Sequence, residues 1–233
     1  MSNSIKPVNF ENHQHLKVKS SNDYRHAENQ QVVPVIVHEF SPASAEMPIL
    51  FVKNSETGEF QSVAMLGLKP GENVFYQLGK WRGRYVPAII THHPFALVPS
   101  QNDETQLQVV IKEDSHLVSD QEGESLFDAL GNETEYMTKR KNAIGRYYEN
   151  SQITRSFIDK ISGLGLLKEK SLTLDLNGEK VALNGVYMVD EKALNQLSDA
   201  DFLSLREKGF LAPIYCHLNS THQLANIAAL KTK

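Results

Sequence analysis

The amino-acid sequence predicts an α+β fold: a β-rich, largely antiparallel N-terminal half, a long helix near residues 133–162, then a hairpin and short helices. Three observations carry this expectation. Up to about residue 130 the apolar residues fall in short β-branched runs bounded by turn residues, and at about residue 132 their period changes from two to 3.6. Further on, Asn177-Gly178 separates two alternating segments, Leu172–Leu176 and Val181–Leu183, and Asn-Gly suits the positive φ angles of a type I′ hairpin turn.

Residues 1–30 are rich in Asn, Gln, His and Ser and read as a polar arm, loosely structured unless it docks on the body. Val32–Val37 reads as a strand whose Pro34 lacks an N–H and therefore belongs at a sheet edge or strand start. Pro48–Val52 and Gln61–Leu66, joined by the turn residues Asn54–Gly58, read as a hairpin. Arg84–Ile90, Ala96–Val98 and Leu107–Ile111 are further strand candidates. Asn132 followed by Glu135 marks the start of the long helix, with a break placed at Asn150-Ser151 and a stop at Gly163 and Gly165. After the second hairpin, Asp190 and Ser198 are N-cap candidates for two short helices, and Gly209 is a C-cap candidate. Pro213–Leu218 reads as a strand, and Ser220–Gln223 has capping-box spacing before a last helix, Leu224–Leu230. As domains, these elements are read as the arm, 1–30, and a single α+β domain, 31–233, with a possible subdivision near 131.

Composition narrows the function classes. Twenty-four Lys+Arg against 28 Asp+Glu give a net charge of −4, so charge supplies no footprint for nucleic acid. The lone Cys216 cannot form an internal disulfide or a thiolate zinc cage, and 233 residues bury enough surface to need no staple. No apolar run approaches a spanning helix, and Met1–His15 contains no apolar leader. A cytoplasmic location is therefore the expectation.

Candidate chemistry is sparse. His92-His93 offers two imidazoles, but neighbours on a strand point to opposite faces and would not share one ion. His217 and His222, five apart, lack the i, i+4 geometry of a helical zinc pair, and no Gly-x-Ser-x-Gly elbow or phosphate loop is present. Cys216, in an apolar strand without a basic neighbour in sequence, reads as a buried structural thiol. Lys139, Arg140, Lys141, Arg146 and Arg155 make the long helix locally basic, the simpler explanation being a solvated face. These motifs name no catalytic residue, metal ligand or cofactor.

The densest unusual stretch is 67–99. It contains Gly67–Asn73, then Trp81-Arg82-Gly83-Arg84-Tyr85-Val86-Pro87, then His92–Leu97, with the only tryptophan among them. Arginines beside aromatics can build an anion or stacking site, or an arginine stem can simply cover a structural tryptophan. Glu72, Trp81, Arg82, Arg84, Tyr85, His92 and His93 are the candidate binding surface.

The same stretch carries a family resemblance. Val33-Pro34 with Glu39-Phe40, Met47-Pro48-Ile49, Ala64–Leu68, Gly71-Glu72-Asn73, Trp81–Ala88, Pro94–Leu97, Glu122–Phe127, Gly185–Glu191 and Tyr215–Leu218 are similar, in this order, to the bacterial SapC family. The resemblance runs from about Val32 to Leu218. The family takes its name from an association with surface-array proteins of a pathogenic bacterium and brings no catalytic mechanism to place on these residues. Its genes tend to lie near those of flavin-dependent tryptophan-halogenase-like and cupin-like enzymes. The resemblance therefore implies an accessory protein, with such an enzyme as its protein partner. Two alternatives stay open: an enzyme of unrecognised type with Glu72, Arg84, His92 and His93 in one pocket, and a structural surface-layer component.

Overall fold

The computed structural model describes residues 4–100, 106–176 and 179–231. In chain order the elements are β1 (Ile5–Pro7), α1 (Phe10–His13), β2 (Lys17–Val18), β3 (Val32–Pro34), α2 (Phe40–Ser44), β4 (Ile49–Lys53), β5 (Phe60–Met65), β6 (Tyr76–Gln77) and β7 (Lys80–Trp81). They continue with α3 (Ala88–His92), β8 (Phe95–Pro99), β9 (Leu107–Lys112), β10 (Val118–Ser119), β11 (Glu124–Ser125) and α4 (Glu135–Gly163). The last are β12 (Leu167–Leu176), β13 (Glu179–Val189), α5 (Glu191–Asn195), α6 (Asp199–Glu207), α7 (Leu211–Ser220) and α8 (Gln223–Lys231). All strand pairs between these elements are antiparallel, and the fold is α+β. No helix among the described residues is long and apolar enough to cross a membrane.

The chain divides into two compact units, Met1–Asp23 with Ile90–Glu149, and Tyr24–Ile89 with Asn150–Lys233. In the first unit the polar N-terminal segment is not loose: β1 pairs with β9, and β2 lies between β10 and β11. Its core gathers Val18, Phe95, Ile111, Leu117, Leu126, Met137 and Ile144 from β2, β8, β9, the 117–126 loops and the start of α4. His13 is fully buried, its Nε2 3.3 Å from a Glu113 oxygen.

The second unit is built on the sheet β12-β13-β4-β5-β3. β3 is its edge strand, so Pro34 sits where a missing N–H costs no ladder bond, as expected. The β4–β5 hairpin turns where the Asn54–Gly58 signal places it, with Asn54 Oδ1 accepting the N–H groups of Glu56 and Thr57. Asn177-Gly178 falls outside the described residues, although β12 and β13 pair on either side of it. The aromatic rings of Phe40, Phe51 and Phe210 pack around Phe157 at centroid distances of 5.4 to 6.3 Å. Asp190 and Ser198 cap α5 and α6 as the sequence predicts.

Several expectations are corrected. Pro213–Leu218 is not a strand but lies within α7, where buried Ile214, His217 and Ser220 recur every third residue while Tyr215 is exposed. Pro213 is tolerated because the first turn of a helix needs no N–H from it. Cys216 is accordingly half-buried on a helix rather than buried in a strand. Arg84–Ile90 is a loop running into α3, because side-chain carboxylates rather than a neighbouring strand take its N–H groups. α4 is unbroken at Asn150-Ser151, and it is Thr134, whose Oγ accepts the Met137 N–H, that caps its start. Asn132 instead closes a turn on Asp128. Ser220 caps nothing, since its hydroxyl accepts from the Ile49 N–H and donates to the His217 carbonyl.

The basic residues of α4 are largely engaged. Lys139 pairs with Glu135, Lys141 with Glu133 and Arg155 with Glu59, while Arg140 lies over the Tyr136 ring.

Candidate functional site

The 67–85 stretch explains itself from the backbone outward. A Cβ on Gly67 would stand 2.2 Å from the Glu72 carbonyl oxygen, so only glycine lets the loop fold back this closely. Glu72 closes that loop with its own carboxylate, which accepts the N–H groups of Leu68 (2.7 Å) and Lys69 (3.2 Å). Asn73 follows the same logic. It donates to the Ala27 carbonyl and accepts from the N–H groups of Phe75 and Tyr76.

Trp81 is a brace. Its ring stacks on Phe75 at 5.8 Å, meets Tyr24 edge-on at 5.9 Å, and its Nε1–H donates to the Tyr85 carbonyl at 2.9 Å. That bond pulls residues 82–84 into a tight loop under the indole, and Gly83 fits there because a Cβ would lie 2.9 Å from Trp81 Nε1 and 3.2 Å from Phe75 Cδ1. Gly83→Ala is expected to displace the indole and destabilise the protein by about 1–3 kcal/mol. Near-UV circular dichroism and fluorescence of the single tryptophan will read the displacement; unchanged spectra with an unchanged melting temperature would refute it.

Two glutamates hold the same loop from either end of α2, Glu39 just before the helix and Glu46 in the turn just after it. Both carboxylate oxygens of Glu46 accept the Arg84 N–H, at 2.9 and 2.8 Å, and one also accepts the Tyr85 N–H at 2.7 Å. Glu39, buried, accepts the Tyr85 hydroxyl at 2.6 Å, the Ala88 N–H at 2.7 Å and the Ile36 N–H at 3.1 Å. A buried carboxylate is tolerable when several donors replace its water shell.

Beside this braced loop lies a groove of about 660 Å³, wholly within the second unit, between α2, the 75–85 stretch and α8. Arg82, Arg84 and Tyr85 line it with Phe75, Glu46, and Gln223 and Asn226 of α8. Gln223 ties α8 to α2 through the Ser44 and Ala45 carbonyls, and the amide of Asn226 bonds back to Gln223. Arg82 and Arg84 are exposed, and among the described residues neither guanidinium has a hydrogen-bond or ion-pair partner. Among the described residues the lining contains no histidine, cysteine, serine or lysine. It offers fixed positive charge beside apolar surface.

Of the candidates named from sequence, Arg82, Arg84 and Tyr85 come together on this groove. Trp81 supports it from behind through Phe75, and Glu72 serves its own loop and is not part of the lining. His92 and His93 belong to the first unit. There His92 ends α3, not a strand, and meets the Tyr147 ring edge-on at 5.3 Å. Burial first, and the Arg140 charge second, hold its pKa below the ordinary histidine value. His93 turns to other partners: its Nε2 is 2.8 Å from the Ser115 hydroxyl and its ring stacks on His116 at 6.3 Å. Glu39, Glu46, Phe75, Gln223 and Asn226 escaped the sequence analysis as site residues; Glu39, Glu46 and Gln223 act across chain separations that no local spacing records.

A family model described as SapC matches residues 8–227, nearly the whole chain. The chain belongs to the SapC family. The match begins earlier than the resemblance read from the sequence, taking in most of the N-terminal segment that forms α1 and β2, and SapC membership therefore spans both units. No curated protein and no solved structure matches this SapC chain.

Proposed function

We propose that this SapC-family chain is a non-catalytic binding protein that engages another protein through the Arg82–Arg84 groove. The observation that carries the reading is a pair of exposed guanidiniums, without a partner among the described residues, on a backbone fixed by Glu39, Glu46 and Trp81. Arginine is enriched with tryptophan and tyrosine at binding hot spots, and a braced backbone lowers the ordering cost of association. Among its described residues the groove supplies charge and apolar contact but no acid–base pair, which favours recognition over catalysis. The family resemblance adds a partner class, a flavin-dependent tryptophan-halogenase-like or cupin-like enzyme.

The test is affinity capture of the tagged chain from its own cells, identification of the captured protein, and measurement of binding between the purified pair. Arg82→Ala/Arg84→Ala should weaken that binding at least about tenfold, or about 1.4 kcal/mol, with an unchanged melting temperature. His92→Ala/His93→Ala should bind normally. Binding indifferent to the arginines, or lost with the histidines alone, would reject this surface.

A further inference from the structure

Resting on the reading that this groove is the docking surface, we infer that its occupant is an acidic segment of a partner protein, with carboxylates on Arg82 and Arg84 and an apolar side chain on the Phe75 floor. The charge argues for it. Guanidinium forks match carboxylates bidentately, and Arg82 and Arg84 flank a single glycine in a chain whose net charge is −4, so they stand as local positive charge on an acidic protein. Among the described lining residues the one carboxylate, Glu46, directs both oxygens at the Arg84 and Tyr85 backbone N–H groups and pairs with neither guanidinium. Over its described residues the groove therefore keeps a net positive charge.

Its form argues for a peptide. On the α8 side the lining residues are Gln223, Asn226, Ala229 and Leu230, a stripe along one helix face. The seven residue steps from Gln223 to Leu230 span about 10 Å, the length of about three extended residues. An open trough of that length receives a strip of chain more naturally than a compact anion. Tyr85 presents its ring to the groove while its hydroxyl is held by Glu39, so the aromatic contact is apolar. Together these features select for carboxylates interleaved with apolar side chains.

The experiment titrates the full chain with acetyl-Asp-Phe-Glu-Leu-amide and, separately, acetyl-Asn-Phe-Gln-Leu-amide. Binding is followed by calorimetry and by the emission of Trp81, the only tryptophan, which stacks on Phe75. The acidic peptide should bind at least about tenfold more tightly in low salt, and its advantage should shrink as salt is raised. Arg82→Gln/Arg84→Gln should remove that advantage while leaving the melting temperature unchanged. Equal affinities, no binding of either peptide, or a preference that survives the double variant would overturn the inference. So would sodium phenylacetate or inorganic phosphate binding as tightly as the acidic peptide, which would mark a small-anion site. If the captured partner is lost in Arg82→Ala/Arg84→Ala but no peptide preference is found, the docking surface stands and only this choice of occupant fails.

Discussion

Lowering the pH from 7 to 4 is expected to cost the protein about 3 kcal/mol of stability through His217 alone. The side chain is 0% exposed, and its ring bridges two strands of the main sheet: Nδ1 lies 2.7 Å from the Ile49 carbonyl of β4, and Nε2 lies 3.0 Å from the Val189 N–H of β13. Only the neutral tautomer with its hydrogen on Nδ1 satisfies both, donating to Ile49 and accepting from Val189. Burial lowers its pKa from 6.5 to about 4, against the opposing pull of the Ile49 carbonyl. Above pH 6.5 both folded and unfolded chains carry a neutral ring, and the group adds no pH dependence. Between 6.5 and about 4 the unfolded chain binds a proton that the folded chain refuses, so stability falls as pH falls. Below about 4 both states are protonated and the loss is complete.

Urea unfolding of the parent and of His217→Phe at pH 7, 6, 5 and 4 isolates this contribution, because every other titrating group is common to both. At pH 7 the variant should be less stable, having left the Val189 N–H unpaired at about 1–3 kcal/mol and the Ile49 carbonyl with only the Ser220 hydroxyl at 3.5 Å. Its deficit should shrink by about 3 kcal/mol on the way to pH 4. Parallel stability curves would show that His217 does not titrate between the two states.

What made His217 illegible in the sequence also limited the rest. Several local signals came through: the Asn54–Gly58 turn, the Asp190 and Ser198 caps, and the edge position of Pro34 all depend on residues within a few positions of one another, although the equally local cap readings at Asn132 and Ser220 did not. Pro213–Leu218 failed because a short apolar run fits a buried strand and a buried helix equally well, and the choice was made by packing of Ile214, His217 and Ser220. The site was half legible for the same reason. Arg82, Arg84 and Tyr85 stand out as a local cluster, whereas Glu39 reaches Tyr85 across 46 residues and Gln223 reaches Ser44 across 179. A glutamate in sequence looks like surface charge, and nothing near Glu39 announces that its carboxylate is an internal hub.

Replacing that hub should have the largest effect of any single change near the groove. Glu39 is 5% exposed and its carboxylate is the common acceptor for the Tyr85 hydroxyl and the N–H groups of Ala88 and Ile36. Glu39→Ala strands three donors, two of them backbone, at about 1–3 kcal/mol each, so a loss of at least about 3 kcal/mol is expected. Glu39→Gln keeps the shape but turns one acceptor into an NH₂ group that must face a donor, and about 2 kcal/mol should follow. Tyr85→Phe removes one donor with its hydrogen bond and sets the lower mark at about 1 kcal/mol. Stability alone would not separate a local hub from a general core defect, but amide exchange does. Glu39→Gln should speed exchange at Arg84, Tyr85 and Ala88 while leaving β4 and β5 protected, since only the loop loses its anchor. It should also weaken the acidic peptide severalfold with both guanidiniums intact, because a loop that must first be ordered adds its entropy to the cost of binding. Uniformly faster exchange across the sheet, or undiminished peptide affinity, would mean that Glu39 supports the fold without fixing the arginines. The three variants together thus distinguish a carboxylate that holds the core from one that also holds the binding loop in place.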